Sequence, residues 1–325
     1  MIARPRVLLA IAAIWTGLGI ASAACAESYP ERAIKLVVPF PAGGATDTIA
    51  RLVAHQVSSA LRQTVIVENR GGAGGSIAAR AVAAASPDGY TLMMAAVSTF
   101  GTAPLLYKLD FDPVRAFAPV ATVAVDQGAM VVNPSLPMKT VQDLVQYAKA
   151  NPGKMNYGSA IGIGPHFVME LFKLRTGTDI VHVPYRGGAA VISDLIGGQI
   201  QMTVNNKSVL LPYIQAGRMR ALAVTGADRW PELPGVPTLV ESGDMDFPYD
   251  TWFGVVAPAR TPANVIEKLN VAINDGLRSS ATRASLASMG IDPKVTTPAE
   301  FAALIAEDVP KWGRIVKLTG IKAAE

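Results

Sequence analysis

Four stretches of this chain set glycines at the point where a strand signal gives way to a helix signal. The clearest is Pro39-Phe40-Pro41-Ala42-Gly43-Gly44-Ala45-Thr46-Asp47, and the others centre on Gly74, Gly162 and Gly187. Backbone N–H groups freed at such a turn converge with the positive end of the following helix on one point, which suits an anion such as a phosphate or a carboxylate. The same residues also make an ordinary strand-to-helix turn without a ligand, because glycine serves packing as well as binding. Four such turns, spread over both halves of the chain, carry more weight than one. They allow helix starts from two domains to face a shared cleft.

The remaining reactive side chains divide by type. Asp47 suits a helix N-cap, a contact to bound solute or water, or both. Ser159 and His166 have the types of a nucleophile and a base. No G-x-S-x-G elbow surrounds Ser159, however, and no carboxylate stands out to orient the imidazole, which argues against a hydrolase. The three histidines, His55, His166 and His182, have spacings unlike a zinc site, so no metal is expected. No cofactor is expected either. Gly162-Ile163-Gly164 lacks the third glycine of a dinucleotide fingerprint at Phe167, and no Gly-Lys-Ser/Thr phosphate loop is present. Arg70 and Arg186 are candidate carboxylate clamps, since guanidinium binds carboxylate with two parallel hydrogen bonds, though both sit in turns where a solvated arginine is common. Tyr185 and Trp252 suit a cleft wall or a buried core equally.

These groups need elements to hold them. Ile34 to Val38 reads as a buried strand, and Ile49, Leu52, Val53, Val57 and Leu61 recur at helical spacing. Thr46 or Asp47 is the expected N-cap of that helix. Strands follow at 64–67 and at 90–97, with an alanine-rich helix at 77–85 between them and Ser98-Thr99 at a strand's carboxyl end, where open α/β sheets bind ligands. The apolar run 120–132 reads as a segment crossing into a second domain. Thr140 with Asp143 resembles a capping box. Beyond it the spacing predicts a strand near 155–157, a helix from Pro165 to about Leu174, strands at 180–183, 199–204 and 222–224, a surface stretch over 228–248, and a return crossing at 250–256. Thr261-Pro262 predicts a helix with proline at its first position, and Thr297-Pro298 with Glu300 opens the last helix. The regular alternation predicts an α/β fold with mostly parallel sheets.

The N-terminus reads as an export signal. Arg4 and Arg6 precede an apolar core over 7–20, and Ala24-Cys25-Ala26 forms a small-residue cleavage pattern, with Ala21-Ser22-Ala23 as a second possible cut. Ser22 stands where a lipoprotein signal usually has leucine, which argues against lipidation at Cys25. Cleavage after Ala26 removes the single cysteine of the chain, and with it any thiol chemistry or disulfide. The formal net charge is only +4 over 325 residues, with no long run of Lys or Arg, so nucleic acid is not an expected partner. A soluble, exported protein is expected, divided as a signal peptide over 1–26, one domain over 27–126 plus 252–325, and a second over 127–251.

The segments P-F-P-A-G-G-A-T-D (39–47), E-N-R-G-G-A-G-G (68–75), G-S-A-I-G-I-G-P-H (158–166), V-P-Y-R-G-G (183–188), P-G-V-P-T-L-V-E-S-G (234–243) and W-F-G-V-V-A-P-A-R-T-P (252–262) together resemble the Bug family. These are the TctC-like periplasmic solute receptors of tripartite tricarboxylate transporters. The match runs in order over essentially the whole mature chain. It implies a two-domain periplasmic-binding-protein fold of the type II, Venus-flytrap topology with two crossovers. It further implies a monomer that captures a small carboxylate and delivers it to the membrane subunits of a transporter. Carried over, the first pincer loop falls on Phe40, Ala42, Gly43, Gly44, Ala45, Thr46 and Asp47, and the second on Ser159, Gly162, Gly164 and His166. The wall between them falls on Ser98, Thr99, Tyr185, Arg186, Gly187, Asn205 and Trp252. Asn205 departs from the acidic residue common there, and Thr99-Phe100-Gly101-Thr102 departs from a His-Ala-Ile-Asn run. Both departures bear on the ligand, not the fold. An exported hydrolase or lyase acting on a small acid, and a sensor that presents its ligand to a signalling protein, are the alternatives.

Overall fold

The computed structural model describes residues 29–322 except Arg186, Asp244, Asp246 and Phe247. The expected signal peptide lies outside the described residues, and so does Arg186.

The apolar alternations resolve into one mixed sheet. In chain order its first half is built from β1 (Ile34–Val38), α1 (Ala45–Leu61), β2 (Val65–Asn69), α2 (Ser76–Ala83), β3 (Thr91–Ala96) and the single-turn α3 (Ala103–Leu106). A long strand, β4 (Phe117–Val132), then leads into α4 (Val141–Ala150), β5 (Met155–Ser159), α5 (Gly164–Thr176), β6 (Ile180–Pro184), α6 (Gly188–Ile196), β7 (Met202–Asn206), α7 (Lys207–Gln215) and β8 (Arg220–Val224). The chain returns along β9 (Asp250–Pro258) and closes with α8 (Ala263–Arg278), α9 (Ser280–Ser288), the two-residue β10 (Asp292–Pro293) and α10 (Pro298–Thr319).

The strand order is β2-β1-β3-β9-β4-β7-β5-β6, with β8 and β10 each paired to β4. β1 is parallel to β2 and β3, and β5 is parallel to β6 and β7, while β4, β8, β9 and β10 pair antiparallel. The sheet is therefore mixed rather than mostly parallel. The antiparallel pairs come from the two crossing strands, which the apolar runs locate without giving their direction.

Local chemistry explains the boundaries. The Thr140/Asp143 and Thr297/Glu300 capping boxes both form, satisfying N–H groups that have no acceptor inside the helix. Two expected caps differ. Gly44, not Thr46 or Asp47, is the N-cap of α1, and Pro262 is itself the N-cap of α8, one place before the helix proper. The apolar stripe of α1 buries Ile49, Ala50, Val53 and Val57 with Ile34, Leu36 and Val38 of β1. The corresponding face of α5 buries Phe167, Val168, Leu171 and Phe172 with Tyr157 of β5. The glycine turns after β1 and β5 are thus each fixed at both ends by packed elements. Among the described residues no helix is long and apolar enough to cross a membrane.

Candidate functional site

The strand register places the turns. β3 ends at Ala96, which lies opposite Phe253 of β9, which in turn lies opposite Ala124 of β4. β7 runs the other way and ends at Asn206, opposite Gly128 of β4. The carboxyl ends of the two parallel sets therefore meet head to head across four residues of β4, on the order of 13 Å at about 3.3 Å per residue. All four glycine turns leave strands that point into this gap: β1 and β2 from one side, β5 and β6 from the other.

The first loop is braced by Asp47. Its carboxylate accepts from Gly43 N–H (2.9 Å), Arg51 Nε (3.0 Å) and Asn69 Nδ2 (2.9 Å), and Asn69 also donates to the carbonyl of Phe40 (3.0 Å). Burial works against the charge, but these hydrogen bonds and the Arg51 guanidinium hold the carboxyl below its ordinary range. Asp47 is thus a buried residue in the first turn of α1 that shapes the loop, rather than its cap. Ala42, Gly43 and Gly44 stand exposed, Phe40 and Ala45 are half-buried, and Thr46 is buried. Gly43 has φ +86°, a value that L side chains rarely adopt. The N–H groups of Ala45, Thr46 and Asp47 begin a helix and so lack intrahelical acceptors.

The second loop is held by histidine. Gly162 N–H donates to His166 Nδ1 (3.1 Å), and the His166 ring stacks on His182 with centroids 4.1 Å apart. Burial first, and the neighbouring imidazole second, press His166 down to about 4. One loop N–H is therefore already taken, and Pro165 has none to give. Gly164 is packed so closely that a Cβ there would lie 1.9 Å from Tyr249 Oη. Ser159 pairs with His182, at 2.9 Å from Oγ to Nε2, and not with His166. The same Nε2 lies 3.2 Å from the carbonyl of Ser159, a contact that favours the tautomer with the proton on Nε2, in which that nitrogen donates to Ser159 and does not serve as its base. Among the described residues no carboxylate hydrogen-bonds His182, and a nucleophilic triad is not assembled.

The wall residues are placed unevenly. Ser98 and Thr99 are buried at the end of β3, in a π-helical turn over Ser98–Thr102 that the sequence does not announce. Among the described residues, Thr99 Oγ1 and Ser76 Oγ, the latter at the start of α2, are buried without a hydrogen-bond partner. Gly75 ties them to the first loop, since a Cβ there would meet Pro39 at 3.0 Å and Thr99 Oγ1 at 3.3 Å. Tyr185 donates its hydroxyl to Asp194 (2.6 Å), and burial followed by that carboxylate pushes it up to about 12. Gly187 is the exposed N-cap of α6, and Asn205 accepts from Asn206 N–H (2.9 Å) with its amide nitrogen close to Gly188. Trp252 takes the core position of its two readings. It is 4% exposed, packs on Phe301 and Phe100, and gives its indole N–H to Asp308. Arg70 is engaged with Glu68. Ser76, Thr102 and His182 stand at these turns as well, although no motif in the sequence marks them as site residues. Ser76 directly follows the second glycine turn, the one local signal available for it.

Midway across the gap, Asp126 of β4 is fully buried and accepts from Asn206 Nδ2 (3.1 Å) and from both the backbone and the side chain of Ser208. Burial pushes it up to about 6 against those hydrogen bonds.

The sequence profile of the tripartite tricarboxylate transporter family receptor, TctC, matches residues 49–321. The chain belongs to this receptor family. BugT of Bordetella pertussis is 37% identical over 323 residues, covering 97% of this chain and 98% of the relative. Among solved structures, Rpa4515 of R. palustris with adipate superposes with a TM-score of 0.85 at 36% identity, over 90% of this chain and 99% of that one. MatC of Rhodopseudomonas palustris with bound malate gives 0.81 at 31%, over 89% and 100%. The TctC receptors are solute-binding proteins, and the fold of this one is of the periplasmic-binding-protein type.

Proposed function

We propose that this TctC receptor takes a small carboxylate between the loop at 40–47 and the loop at 159–166, and passes it to the membrane subunits of a tripartite transporter. The observation that carries the reading is the pair of glycine turns at helix starts facing each other across β4. The adipate and malate found with its structural relatives are solutes of the class such turns suit. The ligand carboxylate would be held by N–H groups of the first turn of α1 and of the second loop, with water completing the shell. Ser76 and Thr99, whose hydroxyls have no hydrogen-bond partner among the described residues, would face the rest of the solute or its water.

The receptor would be exported to the periplasm, lose residues 1–26, and act as a monomer without catalysis. Its moving parts would be 27–126 plus 252–325 and 127–251, hinged where β4 and β9 cross. The experiment is a thermal-shift screen of small mono- and dicarboxylates, adipate and malate included, with product analysis of every hit. A ligand at 100 times its Kd stabilises by about 2.7 kcal/mol, which is readily seen. A chain that no carboxylate stabilises contradicts the reading, and turnover of a hit replaces the receptor with an enzyme.

A further inference from the structure

The peptide flanks of Gly162 are gripped from two sides. Its N–H goes to His166 within the second loop, while its carbonyl accepts from Thr102 Oγ1 at 2.7 Å, from the far side of the gap. Thr102 is 0% exposed, and its looser contact to the carbonyl of Ser98 is 3.3 Å. Gly162 has φ +76°, and Leu106 Cδ1 would lie 2.5 Å from a Cβ placed on it. The segment that carries Thr102 and Leu106 also packs on the glycine turn after β2. Positions that a Cβ of Gly74 would take lie 3.2 Å from Ala103 and Tyr107, and Gly75 meets Thr99. One stretch, 98–107, therefore touches glycine turns from both halves of the sheet.

We propose that Thr102 is a positioning residue for solute capture, setting the backbone of the second loop from the opposite half of the sheet. The donor N–H groups of the second loop then take up their binding geometry only while the 98–107 segment is seated, so the second loop is coupled to the glycine turn after β2 before any solute arrives. This rests on the assignment of these loops to the solute site. The coupling can be read without ligand, so failure of the carboxylate screen and failure of this inference are separate results.

The test is amide hydrogen exchange by NMR on the ligand-free protein at neutral pH, comparing the parent with Thr102→Val and Thr102→Ser. Valine keeps the shape, removes the donor and leaves a buried carbonyl unpaired, so exchange at Ile161 to Gly164 should quicken by roughly 10-fold. Exchange in α4 should stay unchanged, and serine should restore parent behaviour. Loop exchange in Thr102→Val within about two-fold of the parent, or a uniform rise through both halves, overturns the proposal. If Thr102→Val does not fold, the parent protein decides. The Thr102 hydroxyl proton should be slow to exchange and show a cross-relaxation peak to the second loop, and a freely exchanging hydroxyl overturns the assignment.

Discussion

Acid should unfold this receptor partly through His166, and the size of the effect follows from its surroundings. The ring is 6% exposed and lies in a stack with His182 and Tyr157. Glu170 draws its pKa up and Lys173 pushes it down, but burial and His182 prevail, taking it from 6.5 to about 4. An unfolded chain binds the proton near 6.5, whereas the folded one resists until about 4, so protons favour unfolding in between. The contribution is fully present above about pH 6.5 and is lost as pH falls toward 4. A shift of about 2.5 units at 1.36 kcal/mol each is worth about 3 kcal/mol. Asp126 acts in the opposite sense. Its raised value means the folded state holds a proton more firmly, so its contribution declines as pH rises from the ordinary carboxylate range through about 6. The parent profile mixes these with other shifted groups, His182, Asp250 and Asp308 among them, and His166→Gln isolates the His166 part, since glutamine offers an acceptor to Gly162 and does not titrate. Urea denaturation of both proteins from pH 4 to 7.5 should show the variant gaining about 3 kcal/mol on the parent toward acid. A parent-minus-variant difference that stays flat across this range refutes the reasoning.

Gly164→Ala should cost about 1–3 kcal/mol in urea denaturation, because its Cβ would overlap Tyr249, which is buried and bonded to Thr251 at 2.7 Å. Asp47→Ala should cost about 2 kcal/mol and loosen the first loop, seen as faster exchange at Gly43, since three donors lose their acceptor. Small-angle scattering should show compaction when a carboxylate that stabilises the protein is added at saturation; an unchanged radius of gyration counts against the hinge.

The strand-to-helix turns were legible because they are local. Apolar spacing located β1, β5 and β6, and the glycines after them mark where each chain end turns. The capping residues Thr140 and Thr297 were equally plain, since a capping box needs only residues three apart. What the sequence concealed depends on contacts between distant positions. Thr102 and Gly162 lie 60 residues apart, and Ser159 chooses His182 over the nearer His166 only because β5 and β6 pair in parallel register. The π-turn at 98–102 has no composition cue, and Trp312, which lies so close that a Cβ on Gly101 would be 2.4 Å from its ring, reaches it from more than 200 residues away. Helix α9 gives no clear periodic signal because its Ser- and Ala-rich run, SATRASLAS, buries only Thr282 and Leu286. The aromatic at 252 could not be divided between wall and core without knowing that Phe301 and Asp308 reach it from α10.

Whether backbone N–H groups or a guanidinium hold the carboxylate is decided by titrating the best carboxylate from the screen against Gly44→Val and Arg70→Ala. Gly44 has φ −86°, and a Cβ there would meet only the carbonyl of Pro41 at 3.9 Å, so valine leaves the fold intact and intrudes where a ligand must approach the backbone. Arg70 is already paired with Glu68. Capture by backbone N–H groups predicts that Gly44→Val weakens binding by roughly 10-fold or more, about 1.4 kcal/mol, while Arg70→Ala changes it little. Binding that survives Gly44→Val and is abolished by Arg70→Ala would make the guanidinium the clamp and contradict the account.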